Sequence, residues 1–105
     1  MNEKIFEISF NIIGVAGDAK SLAFEAISEA KTGNIYNAKE IIQKSKEEMV
    51  KAHRFQTELI QNEASGKKID VGVILIHAQD HLMNAMTFIQ LAEEFIDVYE
   101  KLESK

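Results

Sequence analysis

The sequence predicts an all-α protein, an antiparallel three-helix bundle, and three observations predict it. None of the 105 residues is proline, so long helices are free to form. Apolar residues recur at spacings of three and four along most of the chain. Two short glycine-containing polar segments, Thr32-Gly33-Asn34 and Ser65-Gly66-Lys67-Lys68, cut the chain into three lengths of about 30 residues, each roughly 45 Å long as a helix.

The first helix is expected from about Glu3 to Lys31, with Ile5, Ile8, Ile12, Val15, Ala19, Leu22, Ala26 and Ile27 on its inner face. Gly14, Ala16, Gly17 and Ala19 form a small-residue patch. Glycine weakens a helix interior by about 1 kcal/mol against alanine, and the favoured reading here is close packing of a neighbouring helix. Gly33 suits the left-handed position that ends a helix, and Asn34 is a candidate N-cap for the next. The second helix runs to about Ala64, with Ala38, Ile41, Ile42, Ser45, Met49, Ala52, Gln56, Leu59 and Ile60 inward. Asp70 can cap the third. Residues 1–105 form a single domain.

Two apolar ridges run along the third helix. One comprises Ile74, His77, His81, Asn84, Phe88, Leu91, Phe95, Val98 and Leu102, and is expected to fill the core. The other comprises Leu75, Ala78, Leu82, Ala85, Ile89, Ala92, Ile96 and Tyr99. Together they cover more than half the circumference, too much for two neighbours to bury, and imply self-association through this helix.

The bulk numbers exclude several classes. A net charge of -5 and a pI near 5.2 argue against nucleic acid or an anionic membrane as partner. The absence of cysteine rules out disulfides and thiolate chemistry, and is compatible with a cytoplasmic protein. The N-terminal Met-Asn-Glu-Lys-Ile-Phe does not read as a signal peptide. The longest apolar run, Val71 to Ile76 with Gly72 allowed, is far short of a membrane span, so no direct membrane insertion is expected.

The chemistry concentrates at His77-Ala78-Gln79-Asp80-His81. At about 3.6 residues per turn, His77 and His81 project on one side and Asp80 lies about 60° from His77. Such a pair could hold a transition metal, with Asp80 as a third ligand. No general base stands where the His-Glu-x-x-His arrangement has one, and di-iron bundles draw carboxylates from four helices. A neutral imidazole is also a nucleophile that can accept a phosphoryl group. No phosphate-binding glycine loop or Walker lysine is present, so the donor would be another protein. A neighbouring carboxylate repels phosphate, and Asp80 therefore needs neutralising by a cation or by distance. Two satisfied core histidines remain the bland alternative. His53, at the edge of the second helix's apolar face, reads as structural or solvent-facing, and Met49, Met83 and Met86 as packing.

The segment Ile76-His77-Ala78-Gln79-Asp80-His81-Leu82-Met83 resembles the active-site segment of lactose/cellobiose-type (including chitobiose) enzyme IIA of the bacterial phosphoenolpyruvate-dependent sugar phosphotransferase system. Ala16-Gly17-Asp18-Ala19-Lys20-Ser21, Ala52-His53-Arg54-Phe55-Gln56-Thr57 and Glu63-Ala64-Ser65-Gly66 agree in order and spacing, so the resemblance spans essentially the whole chain. It implies a homotrimer of three-helix bundles, which would bury the second ridge. It implies that His77 is phosphorylated by the histidine-containing phosphocarrier HPr and passes the phosphoryl group to a cysteine of the cognate IIB component, with IIC delivering the sugar. By the same match, Asp80 faces the threefold axis, where three copies share one divalent cation, typically Mg2+, which answers the charge problem. Gln79 and His81 are implied to orient His77 or the phosphoryl group. The family most often has glycine where Ala78 stands; the extra methyl should be tolerated in a helix but could narrow access beside His77. A two-component histidine-phosphotransfer domain fits less well, because such domains are usually four-helix bundles with lysine and glycine soon after the histidine. A non-catalytic oligomerisation module would explain the ridges but not the polar cluster.

Overall fold

A computed structural model describes residues 3–104, folded as three helices: α1 (Glu3–Lys31), α2 (Ile35–Ala64) and α3 (Val73–Glu103). The particle measures 56 × 20 × 17 Å, the shape of three helices lying side by side along their full length. α1 packs along both of the others, while α2 and α3 meet over much less of their length.

Small side chains make that central position possible. Ala16, Ala19, Ala23, Ala26 and Ala30 of α1 are all buried, recurring at three and four residues so that one stripe of methyl groups faces the neighbours. Larger residues fill against them: Ile41, Ile42, Met49 and Leu59 from α2, and Leu75, Leu82, Ile89 and Ile96 from α3. Two buried hydroxyls are satisfied without water. Ser9 Oγ donates to the Ile5 carbonyl at 2.7 Å, and Ser45 Oγ crosses from α2 to the Ala19 carbonyl of α1 at 2.6 Å.

Both turns use the same device. Gly33 has φ +88° and Gly66 φ +92°, the left-handed conformation that glycine adopts without steric cost. At the first turn, the amides of Gly33 and Asn34 return to the carbonyls of Ala30 and Glu29. At the second, those of Gly66 and Lys67 return to Glu63 and Asn62. Each is the paired closure of a Schellman motif. Glu29 also gathers the first turn, accepting from Asn34 Nδ2 at 2.7 Å and Asn37 Nδ2 at 3.1 Å.

Five expectations change. Asn34 occupies the N-cap position of α2, but its side chain is committed to Glu29 and caps nothing. α3 begins at Val73 with Gly72 at its N-cap, so Asp70 stands upstream of the helix rather than at its cap. Gly14 and Gly17 are not sites of close packing within the chain, since a Cβ at either would meet no atom within 4 Å.

The fourth change is the largest: the two ridges of α3 are exchanged. Leu75, Ala78, Leu82, Ala85, Ile89, Ala92 and Ile96 form the core face, and the ridge carrying His77 points outward. The alanines decide it. Ala78, Ala85 and Ala92 alternate with larger residues and let α3 approach α1 closely, which the bulkier Phe88, Leu91 and Phe95 would prevent. On α2, Ile60 is likewise exposed rather than inward.

Ala19→Leu should therefore force the central helix away from its neighbours and cost about 1–3 kcal/mol of stability, read by urea unfolding.

Candidate functional site

His77 and Asp80 are exposed and His81 is half-buried, all on the outward flank of α3. The helix places His77 and His81 one turn apart, and their rings meet edge to face with centroids 4.5 Å apart. The two imidazoles are thus not core histidines; they stand where a large partner can reach them. Ala78 between them is fully buried. Its methyl group points into the core, away from the imidazoles, so access beside His77 is not narrowed.

Beside His81 a cleft of about 240 Å³ opens between α1 and α3, lined by Ala16, Lys20, Asp80, His81 and Asn84. Lys20 was not singled out by charge or spacing, because it is one of many lysines in the sequence. The pairing of α1 with α3 brings it to the site. Its Nζ lies 5.7 Å from the centroid of the Phe88 ring, and Phe88 in turn stacks on Phe24 of α1 at 4.3 Å.

Gln79 faces the other way. It accepts a 2.7 Å hydrogen bond from Gln56 Nε2 of α2, joining the active segment to the Ala52–Thr57 segment. It also lines an apolar hollow with Leu59, Ile60, Ile69, Val71 and Ile76. The structure therefore brings His77, His81, Asp80 and, from α1, Lys20 to one region, and sets Gln79 on the α2 flank. His53 is exposed on α2, and only its backbone carbonyl is engaged, by Thr57 Oγ1.

Among the described residues no three histidine, cysteine or acidic side chains converge to hold a metal. One chain offers a divalent cation a single exposed carboxylate here, Asp80, so a site built on it needs further copies of the chain.

Residues 7–100 match the family described as PTS system, lactose/cellobiose specific IIA subunit. The chain belongs to that family. It is 50% identical to the lichenan-specific phosphotransferase enzyme IIA component of Bacillus subtilis, over 97% of this chain and 93% of the relative. It is 38% identical to the N,N'-diacetylchitobiose-specific EIIA component of Escherichia coli, over 97% and 88%. Among solved structures, the cellobiose-specific enzyme IIA from Bacillus anthracis superposes with a TM-score of 0.96 at 52% identity, covering 100% of this chain and 96% of that one. The IIA(chitobiose) of E. coli, solved in complex with HPr, superposes with a TM-score of 0.82 at 37% identity, covering 94% and 96%. The chain is a phosphotransferase component of this sugar uptake system, and the histidine-phosphotransfer-domain and oligomerisation-module readings fall away. Among the described residues, no helix is long and apolar enough to cross a membrane.

Gln56→Ala should leave the Gln79 carboxamide without its partner and cost about 0.5–1.5 kcal/mol; a double-mutant cycle with Gln79→Ala, read by urea unfolding, should recover most of that loss as coupling.

Proposed function

We propose that His77 is the residue that accepts the phosphoryl group, from phospho-HPr, and hands it to a cysteine of the cognate IIB component. One observation supports the reading: the imidazole of His77, edge-on to His81 within the segment that resembles the family's active site, is exposed and open to a protein donor. The apolar rim beside it, Ile60, Val71, Val73 and Ile76, is exposed, as suits a surface that another protein covers.

In the transfer, the unprotonated ring nitrogen of His77 donates its lone pair to phosphorus as the donor's nitrogen–phosphorus bond breaks, and the donor imidazole recovers that electron pair. The proton on the other ring nitrogen of His77 stays in place. His81 supports the ring of His77 from one turn away, and Gln79 acts at a distance by tying this turn of α3 to α2. The onward step reverses the first, with a thiolate as nucleophile and His77 as leaving group.

The same reading includes a homotrimer. Leu91, Phe95, Val98 and Leu102 are 53%, 51%, 52% and 60% exposed, a bulky apolar row that none of the described residues covers. Phe10, Gly14, Gly17 and Phe24 of α1 lie alongside on a common stripe, and the open space over both glycines leaves room for a helix of a second copy. Three Asp80 carboxylates meeting on a threefold axis would hold one divalent cation. Their oxygen-only donor set suits Mg2+, which when bound would neutralise the converging negative charge.

Incubation with phosphoenolpyruvate, enzyme I and HPr should place an acid-labile phosphate on wild-type protein and none on His77→Ala. An unlabelled wild type, or a labelled variant, would overturn the assignment. Phe95→Glu should convert the trimer to monomer by light scattering while the helical circular dichroism persists. Asp80→Leu should keep the trimer and abolish Mg2+ binding in calorimetry.

A further inference from the structure

We propose that the apolar hollow on the α2 flank of the active turn is the anchoring pocket for phospho-HPr, seating one bulky apolar side chain of that donor as it reaches His77. This rests on the reading that phospho-HPr loads His77.

The hollow lies where α2 ends and α3 begins, and has a volume of about 330 Å³. Leu59 and Leu75, both buried, and Ile69, half-buried in the connecting segment, make its inner wall. Ile60, Val71 and Ile76 line it from the surface, 59%, 61% and 60% exposed. A buried wall behind an exposed rim separates this feature from a flat apolar patch. A side chain entering it is surrounded rather than merely covered, and such seats concentrate the binding energy of an interface.

The lining also selects the kind of side chain. Its polar members are Glu63 and Gln79. Gln79 already accepts a hydrogen bond from Gln56, and Glu63 is exposed, where pairing with a cation contributes little. The rest is aliphatic. A polar or charged group lodged there would lose its water with little to replace it, so the occupant is apolar.

Position assigns the occupant to the donor. Ile76 is the chain neighbour of His77, their Cα atoms about 3.8 Å apart. Even a transient protein contact, with about 500 Å² buried on each partner, spans a disc of roughly 13 Å radius. A donor whose phosphohistidine meets the His77 ring therefore covers the hollow unless it leans entirely toward α1. The α1 side is the one that the proposed trimer gives to a second copy. The donor's footprint then extends over α2, where the hollow is.

Ile60→Asp and Val71→Asp test this, because both residues are exposed and can change without opening the core. Each should raise the KM for phospho-HPr about tenfold or more. Reaction with potassium phosphoramidate, a donor too small to dock, should not fall in step. Ile60→Met should hold the wild-type KM. So should Val50→Asp, which adds the same charge at an exposed apolar position of α2 outside the hollow. Circular dichroism and light scattering should show every variant folded and of wild-type mass. An unchanged KM in either hollow variant would overturn the proposal. So would a slowing that phosphoramidate shares, which would mean that the hollow acts on His77 itself. An equal KM rise in Val50→Asp would mean charge repulsion, and a fall in mass would mean that a second copy fills the hollow; each overturns it too. Slower transfer to IIB with an unchanged KM for phospho-HPr would give the seat to the acceptor instead, against the proposal. If phospho-HPr fails to label even the wild type, the donor assignment falls and this inference with it. A labelled wild type beside an unaffected Ile60→Asp removes this inference alone.

Discussion

The close approach that alanine permits is the constraint on which this structure depends. α1 can lie against both neighbours only because the residues it turns toward them are Ala16, Ala19, Ala23, Ala26 and Ala30. A stripe of leucines would bury more area per residue but would hold the axes apart, and the hydroxyl of Ser45 could not then reach the Ala19 carbonyl. Close packing at these positions selects which face of α3 turns inward, and through that choice fixes where every polar residue of the site points. The exposure of His77 is thus a consequence of small side chains at the α1–α3 contact.

Much of this was legible in the sequence. The helix boundaries follow from Gly33 and Gly66, whose positive φ values are the physical content of the turn signal. The inner face of α2 follows from apolar period apart from Ile60, which is apolar yet exposed; that of α1 follows at Ile5, Ile8, Ile12, Ala19 and Ala26, while the buried Ala16, Ala23 and Ala30 take the place expected of Val15, Leu22 and Ile27, which are half-buried. The polar cluster at 77–81 stood out because two imidazoles and a carboxylate would be costly to bury, and the structure meets that cost by leaving His77 and Asp80 exposed. The two ridges of α3 were not distinguishable on that basis. They are offset by one residue, share the same period and are both apolar, so hydrophobicity favours the bulkier one as core, and the bulkier one is outside. Packing geometry carried the deciding information, in the alternation of Ala78, Ala85 and Ala92 with Leu82, Ile89 and Ile96.

Long-range neighbours were equally hidden. Nothing in a single sequence states that Lys20 and Asp80 line one cleft, or that Gln56 donates to Gln79, because both depend on how α1 and α2 align with α3. The segments around Lys20 and Gln56 were visible as matches to the family before they had a spatial meaning. In the fold they are the two flanks of the active turn. One supplies a cation at the cleft, and the other fixes the opposite side of the helix by a carboxamide pair.

On the proposed function, the outward ridge of α3 would carry reactivity and assembly on separate halves of one helix. Its first half carries His77, His81 and Asn84, and its second half Phe88, Leu91, Phe95, Val98 and Leu102. A straight helix holds these in fixed register, so any contact made by the apolar half sets the position of the polar half relative to the neighbouring subunit. No loop intervenes to blur that relation. A histidine proposed to meet successive protein partners would be well served by this arrangement, because a covered apolar end would fix its place while the polar end stays exposed. Side-chain bulk alone would hide this ridge, and the proposed function needs it at the surface.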